Sequence, residues 1–274
     1  MRVRARVAYH GAGFHGFAEN PEVRSIAGDL NKAISLVVGE PISVTCAGRT
    51  DKGVHAVGQV VSFDVPDGTS LERLASSVNS QCSPSILFTD LQFVEQGFDA
   101  RFSAISRTYS YRILNSPESD PFLVDRVWHI SSQLDLSSMQ KASSHLIGEH
   151  DFSSFCKKPK LKSGETVSLV RHVNSATWNS PNENDLFFEI SASSFCHQMV
   201  RSIVGTLVSV GLGKMSHDYL PKLISLADRQ AAGEIAPPQG LVLLSVEYYM
   251  IFLISLQSWV AGQRDAPYRY MAGL

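Results

Sequence analysis

The stretch GRTDKGVHA, at residues 48–56, lies between two strand-like runs at 42–47 and 56–65. Both runs are rich in valine and other residues that favour extended backbone. The stretch itself is polar, contains two glycines, and is longer than a tight turn between two strands requires. It is therefore predicted to be a loop that two strands hold in place.

The segments on either side of this loop complete one unit of strands and helices. Arginines alternate with small apolar residues in RVRARV, residues 2–7, which predicts a strand with one basic face. Ser25 caps a helix whose apolar residues recur at helical spacing. A short helix at 71–78 and a strand at 85–94 follow the loop and its strands. The order strand, helix, strand, strand, helix, strand is that of a ferredoxin-like or RRM-like unit.

The second half of the chain has a similar order of elements. Strands are predicted at 107–114, 167–178, 186–192 and 241–248, and helices at 136–146, 195–210 and 218–228. The sequence thus predicts an α+β protein in which two RRM-like (ferredoxin-like) halves, with antiparallel or mixed sheets, flank a central cleft. The halves are residues 1–105, which carry the polar loop, and residues 106–249, which complete the cleft. Residues 250–274 form an atypical tail that fits neither half.

The charge balance excludes a polycationic nucleic-acid binder but leaves room for a local basic surface. The 274 residues include 24 lysines and arginines against 26 acidic residues, which gives a net charge of −2. A nucleic-acid partner would therefore be bound by a patch of cations and not by bulk charge. The candidate cations for such a patch are Arg2, Arg4 and Arg6 of the first strand and Lys157, Lys158, Lys160 and Lys162 of one loop.

Cysteine usage and the termini indicate a cytoplasmic protein. Cys46, Cys82, Cys156 and Cys196 lie far apart in the sequence, with no C-x-x-C pair. We therefore expect neither structural disulfides nor a metal site. The first residues lack the apolar core of a signal peptide, and no apolar run is long enough to span a bilayer.

A glycine-rich stretch, GAGFHG at residues 11–16, matches the dinucleotide-binding pattern G-x-G-x-x-G. That site needs a helix that opens at the glycines, so that its N-terminus faces the pyrophosphate. Here the helix begins only near Ser25, and no suitable acid follows a second parallel strand. A glycine-rich turn is the favoured interpretation, and a dinucleotide-dependent oxidoreductase is a distant one.

Three residue types in this chain carry candidate chemistry. Asp51 in the polar loop is either part of a hairpin turn or a carboxylate that serves as nucleophile or base. Arg201 lies in a helix that is apolar nearly all round, so its guanidinium needs an acidic partner, either structural or catalytic. Tyr109 and Tyr111 alternate on one strand; Tyr111 fits a core position, and Tyr109 next to Arg107 fits an aromatic platform for a base.

The loop at 48–56 resembles the catalytic motif of the TruA-type tRNA pseudouridine synthases. Further stretches agree with that family in order and spacing: YHGAGFHG (9–16), FDARFSA (98–104), RTYSY (107–111), GEHDFSSF (148–155), FCHQMVRSIVG (195–205) and APPQGL (236–241). The resemblance covers about residues 1–248. It departs after Gly16, where the family has a glutamine-rich stretch, and the tail 250–274 has no counterpart in it.

The resemblance implies an enzyme that isomerises uridine to pseudouridine at positions 38, 39 or 40 of the tRNA anticodon arm. It implies that Asp51 is the nucleophile, that Arg201 is its partner, and that Arg49 enters the RNA stack when the uridine flips out. Tyr109 would stack on the base and Leu241 would form a pocket wall. The family needs no cofactor and acts as a homodimer on tRNA, so the cleft is expected to bind RNA. A non-catalytic RNA-binding protein of the same fold is the alternative.

Overall fold

Ten strands and five α-helices are formed by residues 1–158 and 167–249, which are the residues that the computed structural model describes. The strands are β1 (Arg2–Tyr9), β2 (Thr45–Cys46), β3 (His55–Asp64), β4 (Ile86–Phe93), β5 (Ala104–Asn115), β6 (Trp128–Ile130), β7 (Gly148–Asp151), β8 (Val170–Asn179), β9 (Asp185–Ala192) and β10 (Leu241–Tyr248). The helices are α1 (Ile26–Val38), α2 (Leu71–Cys82), α3 (Leu136–Ser144), α4 (Met199–Gly211) and α5 (Leu220–Leu226).

All of these strands belong to one mixed sheet. Its main order is β4-β1-β3-β10-β5-β9-β8-β7, with β2 paired to β3 and β6 paired to β5. Strand β10 pairs in parallel with β3 and antiparallel with β5, so the strands of the two predicted halves are continuous. We expected a sheet in each half; the last strand joins them into a single sheet. The fold is therefore α+β with a large mixed sheet.

The sequence pattern of β1 determines which face of the sheet carries the helices. Val3, Ala5 and Val7 are fully buried, whereas the arginines between them are half-buried or exposed. Helix α1 begins where the Ser25 hydroxyl accepts a hydrogen bond from the Gly28 amide, as the capping pattern predicts. It ends at Gly39, whose φ of +83° is a backbone conformation that glycine adopts without strain.

Two predicted elements differ from the observed ones for identifiable reasons. The strand predicted at 42–47 shrinks to Thr45–Cys46, because side chains of α1 take its backbone donors: the Ser35 hydroxyl bonds the Ile42 amide and the Asn31 carbonyl bonds the Val44 amide. The helix predicted from residue 195 begins only at Met199. Gln198 before it has φ of +65°, which breaks the helical backbone.

Some residues for which the sequence makes predictions lie outside the described residues. The tail 250–274, Lys160 and Lys162 belong to that part. Within residues 1–158 and 167–249, no helix combines the length and the apolar character needed to cross a bilayer.

Candidate active site

The loop that carries Asp51 is held rigidly between β2 and β3. The Val54 amide bonds the Asp51 carbonyl at 3.1 Å, and Gly53 at φ +80° completes this turn. Thr50, buried to 8% exposure, places its hydroxyl 2.7 Å from that of Tyr9 at the end of β1. The loop is thus fixed to the sheet at both ends, and its carboxylate is presented on a rigid support.

The glycine-rich stretch packs against this loop. A Cβ atom on Gly11 would lie 2.0 Å from the carbonyl oxygen of Val54, so only glycine allows this approach. The Phe17 amide donates to the Thr50 carbonyl at 3.0 Å. The residues Gly11–Gly13 form a single 3₁₀ turn and no α-helix starts there, which confirms the prediction of a glycine-rich turn.

Asp51 and Arg201 are in direct contact, as the buried position of Arg201 in an apolar helix suggested. Nη1 of Arg201 lies 3.1 Å from Oδ2 of Asp51, and Nε donates to the Ala236 carbonyl at 2.8 Å. The Arg201 and Asp51 side chains are 15% and 25% exposed, respectively, so water screens this ion pair less than a surface pair. The guanidinium therefore fixes the position of the Asp51 carboxylate relative to α4.

A second basic side chain, the imidazole of His197, faces Asp51, and the sequence did not reveal it. Nε2 of His197 lies 3.3 Å from Oδ1 of Asp51, so the two carboxylate oxygens have different partners. The imidazole is 52% exposed. His197 lies four residues before Arg201, a spacing that places two side chains on the same face of a continuous helix. That spacing could have indicated a role for His197, but α4 begins only at Met199 and does not include it. Asp51 is therefore held from both sides by residues of one segment.

Tyr109 lies on β5, close enough to Asp51 for the charge of the carboxylate to act on its hydroxyl. It is 7% exposed, and its ring meets that of Phe195 edge-on with 5.1 Å between centroids. Burial raises the pKa of Tyr109, and the charge of Asp51 adds to that rise, so the hydroxyl stays protonated. Tyr111 is fully buried and donates to the Pro237 carbonyl, which confirms it as a core residue. Leu241, 6% exposed, lies directly across from Tyr111 at the start of β10.

Arg107 is a second feature that the sequence did not reveal. Its buried guanidinium donates to four backbone carbonyls, those of Ala47, Arg101, Ala104 and Ser193. Ala47 lies at the start of the Asp51 loop, and Ser193 precedes the segment that carries His197 and Arg201. A single guanidinium therefore links the segments on both sides of the candidate site. Burial lowers its pKa from the ordinary value for arginine.

His55, at the end of the loop motif, is buried and neutral. Its Nδ1 accepts a hydrogen bond from the Gly11 amide at 3.0 Å, so Nε2 is the protonated nitrogen and donates to the Asp125 carbonyl at 2.9 Å. Burial lowers the pKa of His55 to about 4, and the adjacent His10 ring adds to this shift. His55 thus connects the loop to two other segments without carrying charge.

The predicted RNA-contact cations have different surroundings. Arg49 is exposed, whereas Arg2 pairs with Asp64 at 3.0 Å and Arg6 with Asp90 at 2.8 Å. Arg4 is half-buried, with its guanidinium 5.5 Å from the centroid of the Tyr248 ring. Lys157 and Lys158 are exposed. Their roles in RNA binding remain predictions.

The expectation of no structural disulfide is wrong. Cys156 and Cys196 are bonded to each other, although 40 residues separate them in sequence. Their Cα atoms are 5.7 Å apart, well within the range for a disulfide. Because the two cysteines are far apart in the sequence, nothing in it indicated that the loop at 153–158 packs on the segment before α4. Cys46 and Cys82 are free and buried.

Within the described parts of the chain, no group of three or more His, Cys, Asp or Glu side chains is arranged to hold a metal ion. Asp51 has a guanidinium and an imidazole as its neighbours, and both are partners of a carboxylate anion. The site therefore presents one carboxylate with two basic partners, an arrangement that suits a nucleophile or a base.

Comparisons with known proteins identify relatives of this chain. The family model described as tRNA pseudouridine synthase matches residues 142–249. The chain is 38% identical over 242 residues to tRNA pseudouridine synthase A of Methylacidiphilum infernorum, which covers 88% of this chain and 93% of that one. It is 39% identical to the Shewanella woodyi protein of the same name, over 90% of this chain and 93% of that one. The Bacillus subtilis protein is 36% identical, over 90% of this chain and 99% of its own length.

Similarity to solved structures is much weaker. An archaeal box H/ACA sRNP Nop10-Cbf5 complex aligns with a TM-score of 0.34 at 10% identity, over 75% of this chain and 44% of that one, which is too low to bear on the fold. The relatives in sequence establish the family, because this chain aligns with nearly the whole length of each of them at more than one third identity. This chain therefore belongs to the tRNA pseudouridine synthase A family.

Proposed function

We propose that this protein isomerises uridine to pseudouridine in the anticodon stem-loop of tRNA, at position 38, 39 or 40, with Asp51 as its nucleophile. The reaction breaks the N-glycosidic bond, turns the base, and rejoins it to the ribose through C5; C5 loses its proton and N1, released from the ribose, gains one. A carboxylate at the reacting face serves this chemistry whether it attacks the ribose, adds to the base or removes a ribose proton.

The observation that carries the proposal is the placement of the Asp51 carboxylate between a guanidinium and an imidazole. Oδ2 is 3.1 Å from the Arg201 guanidinium, and Oδ1 is 3.3 Å from the His197 imidazole. A protein that only binds RNA gains nothing from a carboxylate in its binding surface, because phosphates repel it. The same geometry therefore argues against the alternative of a non-catalytic RNA-binding protein.

Three further side chains have roles in this proposal. Arg49 is exposed two residues before Asp51 and would fill the gap that the flipped uridine leaves in the RNA stack. Tyr109 would stack on the flipped base, which is worth about 1–3 kcal/mol per base. Leu241 would close the pocket from β10. Unstacking costs a few kcal/mol, so these contacts are of the size needed to offset it.

We propose that the two halves, residues 1–105 and 106–249, are each RRM-like units that bind tRNA across a central cleft. The order of elements supports this: β1-α1-β2-β3-α2-β4 in the first half is matched by β5-α3-β8-β9-α4-β10 in the second. The order of the strands in the sheet is also the same in the two halves: β4-β1-β3-β2 in the first and β10-β5-β9-β8 in the second. A homodimer in the cytoplasm that acts on tRNA is part of the same proposal.

The test is tritium release from a tRNA transcript that carries uridine labelled at C5, with the product mapped by position. The wild-type protein should release tritium and place pseudouridine at one or more of the three positions. Asp51→Asn should abolish release but keep tRNA binding. Binding without release by the wild-type protein would favour the non-catalytic RNA-binding protein.

A further inference from the structure

A groove lies beside the candidate site, between residues 156–158 and the turn at 227–230. Its volume is about 530 Å³, within the range of about 300–1,000 Å³ that is common for small-ligand sites. Lys157, Lys158 and Arg229 line it, together with Asp228 and Gln230. The groove therefore presents three cationic side chains and one carboxylate.

Arg229 has an incomplete set of partners. Its Nη2 donates to the Gln198 side-chain carbonyl at 2.6 Å. Its Nη1 is buried and, among the described residues, has no hydrogen-bond partner. A buried guanidinium nitrogen without an acceptor costs free energy, and such groups call for an explanation. Burial lowers the pKa of Arg229, and the nearby charge of Arg201 adds to this effect.

The carboxylate of Asp228 offsets only part of the positive charge in the groove, because it faces three cationic side chains. Oδ1 of Asp228 accepts a hydrogen bond from the Gln230 amide at 2.9 Å and so caps its own turn. Within residues 1–158 and 167–249, none of Lys157, Lys158 and Arg229 has an ion-pair partner. The groove consequently has excess positive charge in a chain whose net charge is −2.

Residues that line the groove are bonded to the segment that contacts Asp51. The Lys157 amide donates to the His197 carbonyl at 3.0 Å, and the Cys156–Cys196 disulfide joins the same two segments. His197 contacts Asp51, and Gln198, the next residue, contacts Arg229. An anion in the groove would therefore lie next to the segment that holds the reacting carboxylate.

We propose that this groove binds a backbone phosphate of the RNA next to the target uridine, with Arg229, Lys157 and Lys158 as its ligands. The inference rests on the proposed function, since it takes tRNA as the substrate. A phosphate oxygen would supply the acceptor that Nη1 of Arg229 lacks, through a charge-assisted hydrogen bond. The phosphate would also fix the ribose of the flipped nucleotide relative to Asp51.

The test measures tRNA affinity as a function of salt concentration for wild type, Arg229→Gln, and the double variant Lys157→Gln/Lys158→Gln. Arg73→Gln is the matched control, because Arg73 is an exposed arginine on α2, away from the groove. Removal of the Arg229 guanidinium should weaken binding by about tenfold or more. The slope of log affinity against log salt should fall by about 0.7–0.9 for each phosphate that the variant no longer neutralises. Arg229→Lys should retain most of the slope, and Arg73→Gln should behave as wild type.

Inorganic phosphate distinguishes a site for the RNA backbone from one for a free anion. Saturating phosphate that displaces tRNA from wild type and not from Arg229→Gln would support the groove. An unchanged affinity and salt slope in both variants would overturn the proposal. The proposal would also be overturned if Arg229→Gln lowered turnover at saturating tRNA but left the slope of log affinity against log salt unchanged. That result would mean that Arg229 only positions Gln198. If Arg229→Gln does not fold, the double lysine variant decides, because both lysines are exposed.

The wild-type tritium assay separates this proposal from the proposed function. Tritium release with an unchanged salt slope in the groove variants would overturn the phosphate site alone. Absence of release by the wild-type protein would overturn the catalytic proposal, whatever the groove binds.

Discussion

Removal of the ion pair between Asp51 and Arg201 should affect both stability and turnover, and a double-mutant cycle separates the two effects. The cycle consists of Asp51→Asn, Arg201→Met and the double variant. Asparagine keeps the size of Asp51 and removes its charge. Methionine refills most of the volume that the arginine side chain occupies, so the cycle measures the ion pair with little contribution from a cavity.

The magnitude follows from the exposure of the pair. Removal of one partner of a fully buried ion pair costs about 3–5 kcal/mol, whereas exposed pairs contribute about 0.2–1 kcal/mol. Asp51 and Arg201 are 25% and 15% exposed, so the pair lies between these limits. Arg201→Met also leaves the Ala236 carbonyl without its donor, while His197 still faces Asp51. We expect a loss of about 2 kcal/mol for Arg201→Met and a coupling energy of about 1 kcal/mol.

Urea denaturation of the four proteins gives the coupling energy, and tritium release gives the turnover. The double variant should be less destabilised than the two single changes summed, and all three variants should be inactive. Independent sites add within about 0.3–0.5 kcal/mol, so additivity inside that margin would refute an energetic contact between the two side chains. Residual turnover of Asp51→Asn above about one per cent of wild type would refute its role as the nucleophile.

Three other perturbations have expected outcomes. The pKa of His55 is lowered by burial to about 4 from about 6.5, so the folded state binds fewer protons than the unfolded state between these values. The free energy of unfolding should therefore fall by about 3 kcal/mol as the pH drops from about 6.5 to about 4, and urea titrations of His55→Gln should lack this component. Gly11→Ala should destabilise the protein and lower turnover, because the new Cβ would overlap the Val54 carbonyl. Gly13→Ala is the control: its Cβ would meet open space, so its melting temperature in a thermal scan should equal that of wild type. Tyr109→Phe should keep near-normal tritium release, while Tyr109→Leu should lose about tenfold or more as base stacking is removed; equal rates for the two would contradict a stacking role.

The sequence predicted the parts of the site that depend on local pattern. Asp51 lies in a long polar loop between two strands, and that arrangement is visible without any tertiary information. The need of Arg201 for a carboxylate followed from its apolar helix, since a buried guanidinium without a partner is too costly. The structure places the two in contact because α4 and the loop meet at the centre of the sheet, where β10 joins β3 to β5.

Other features could not be predicted, because they depend on contacts between distant segments. His197 contacts Asp51 from outside α4, since Gln198, with φ of +65°, precedes the first residue of that helix. Arg107 binds backbone carbonyls, which carry no side-chain signature in the sequence. The short length of β2 has a similar origin, since side chains of α1 replace its sheet hydrogen bonds.

The distribution of paired and unpaired cations explains why bulk charge says little about RNA binding in this chain. Several arginines are neutralised by nearby carboxylates, and the pairs are Arg2–Asp64, Arg6–Asp90, Arg24–Asp29, Arg112–Asp185 and Arg201–Asp51. These arginines cannot be distinguished in the sequence from Arg49 and Arg229, which have no carboxylate partner within the described residues. A phosphate gains most from a cation that gives up no protein ion pair, because no carboxylate has to be left unpaired. Two of the arginines without a carboxylate partner among the described residues lie on either side of Asp51: Arg49 within its loop, and Arg229 beyond His197. A chain with a net charge of −2 can therefore present unpaired cations beside its candidate site.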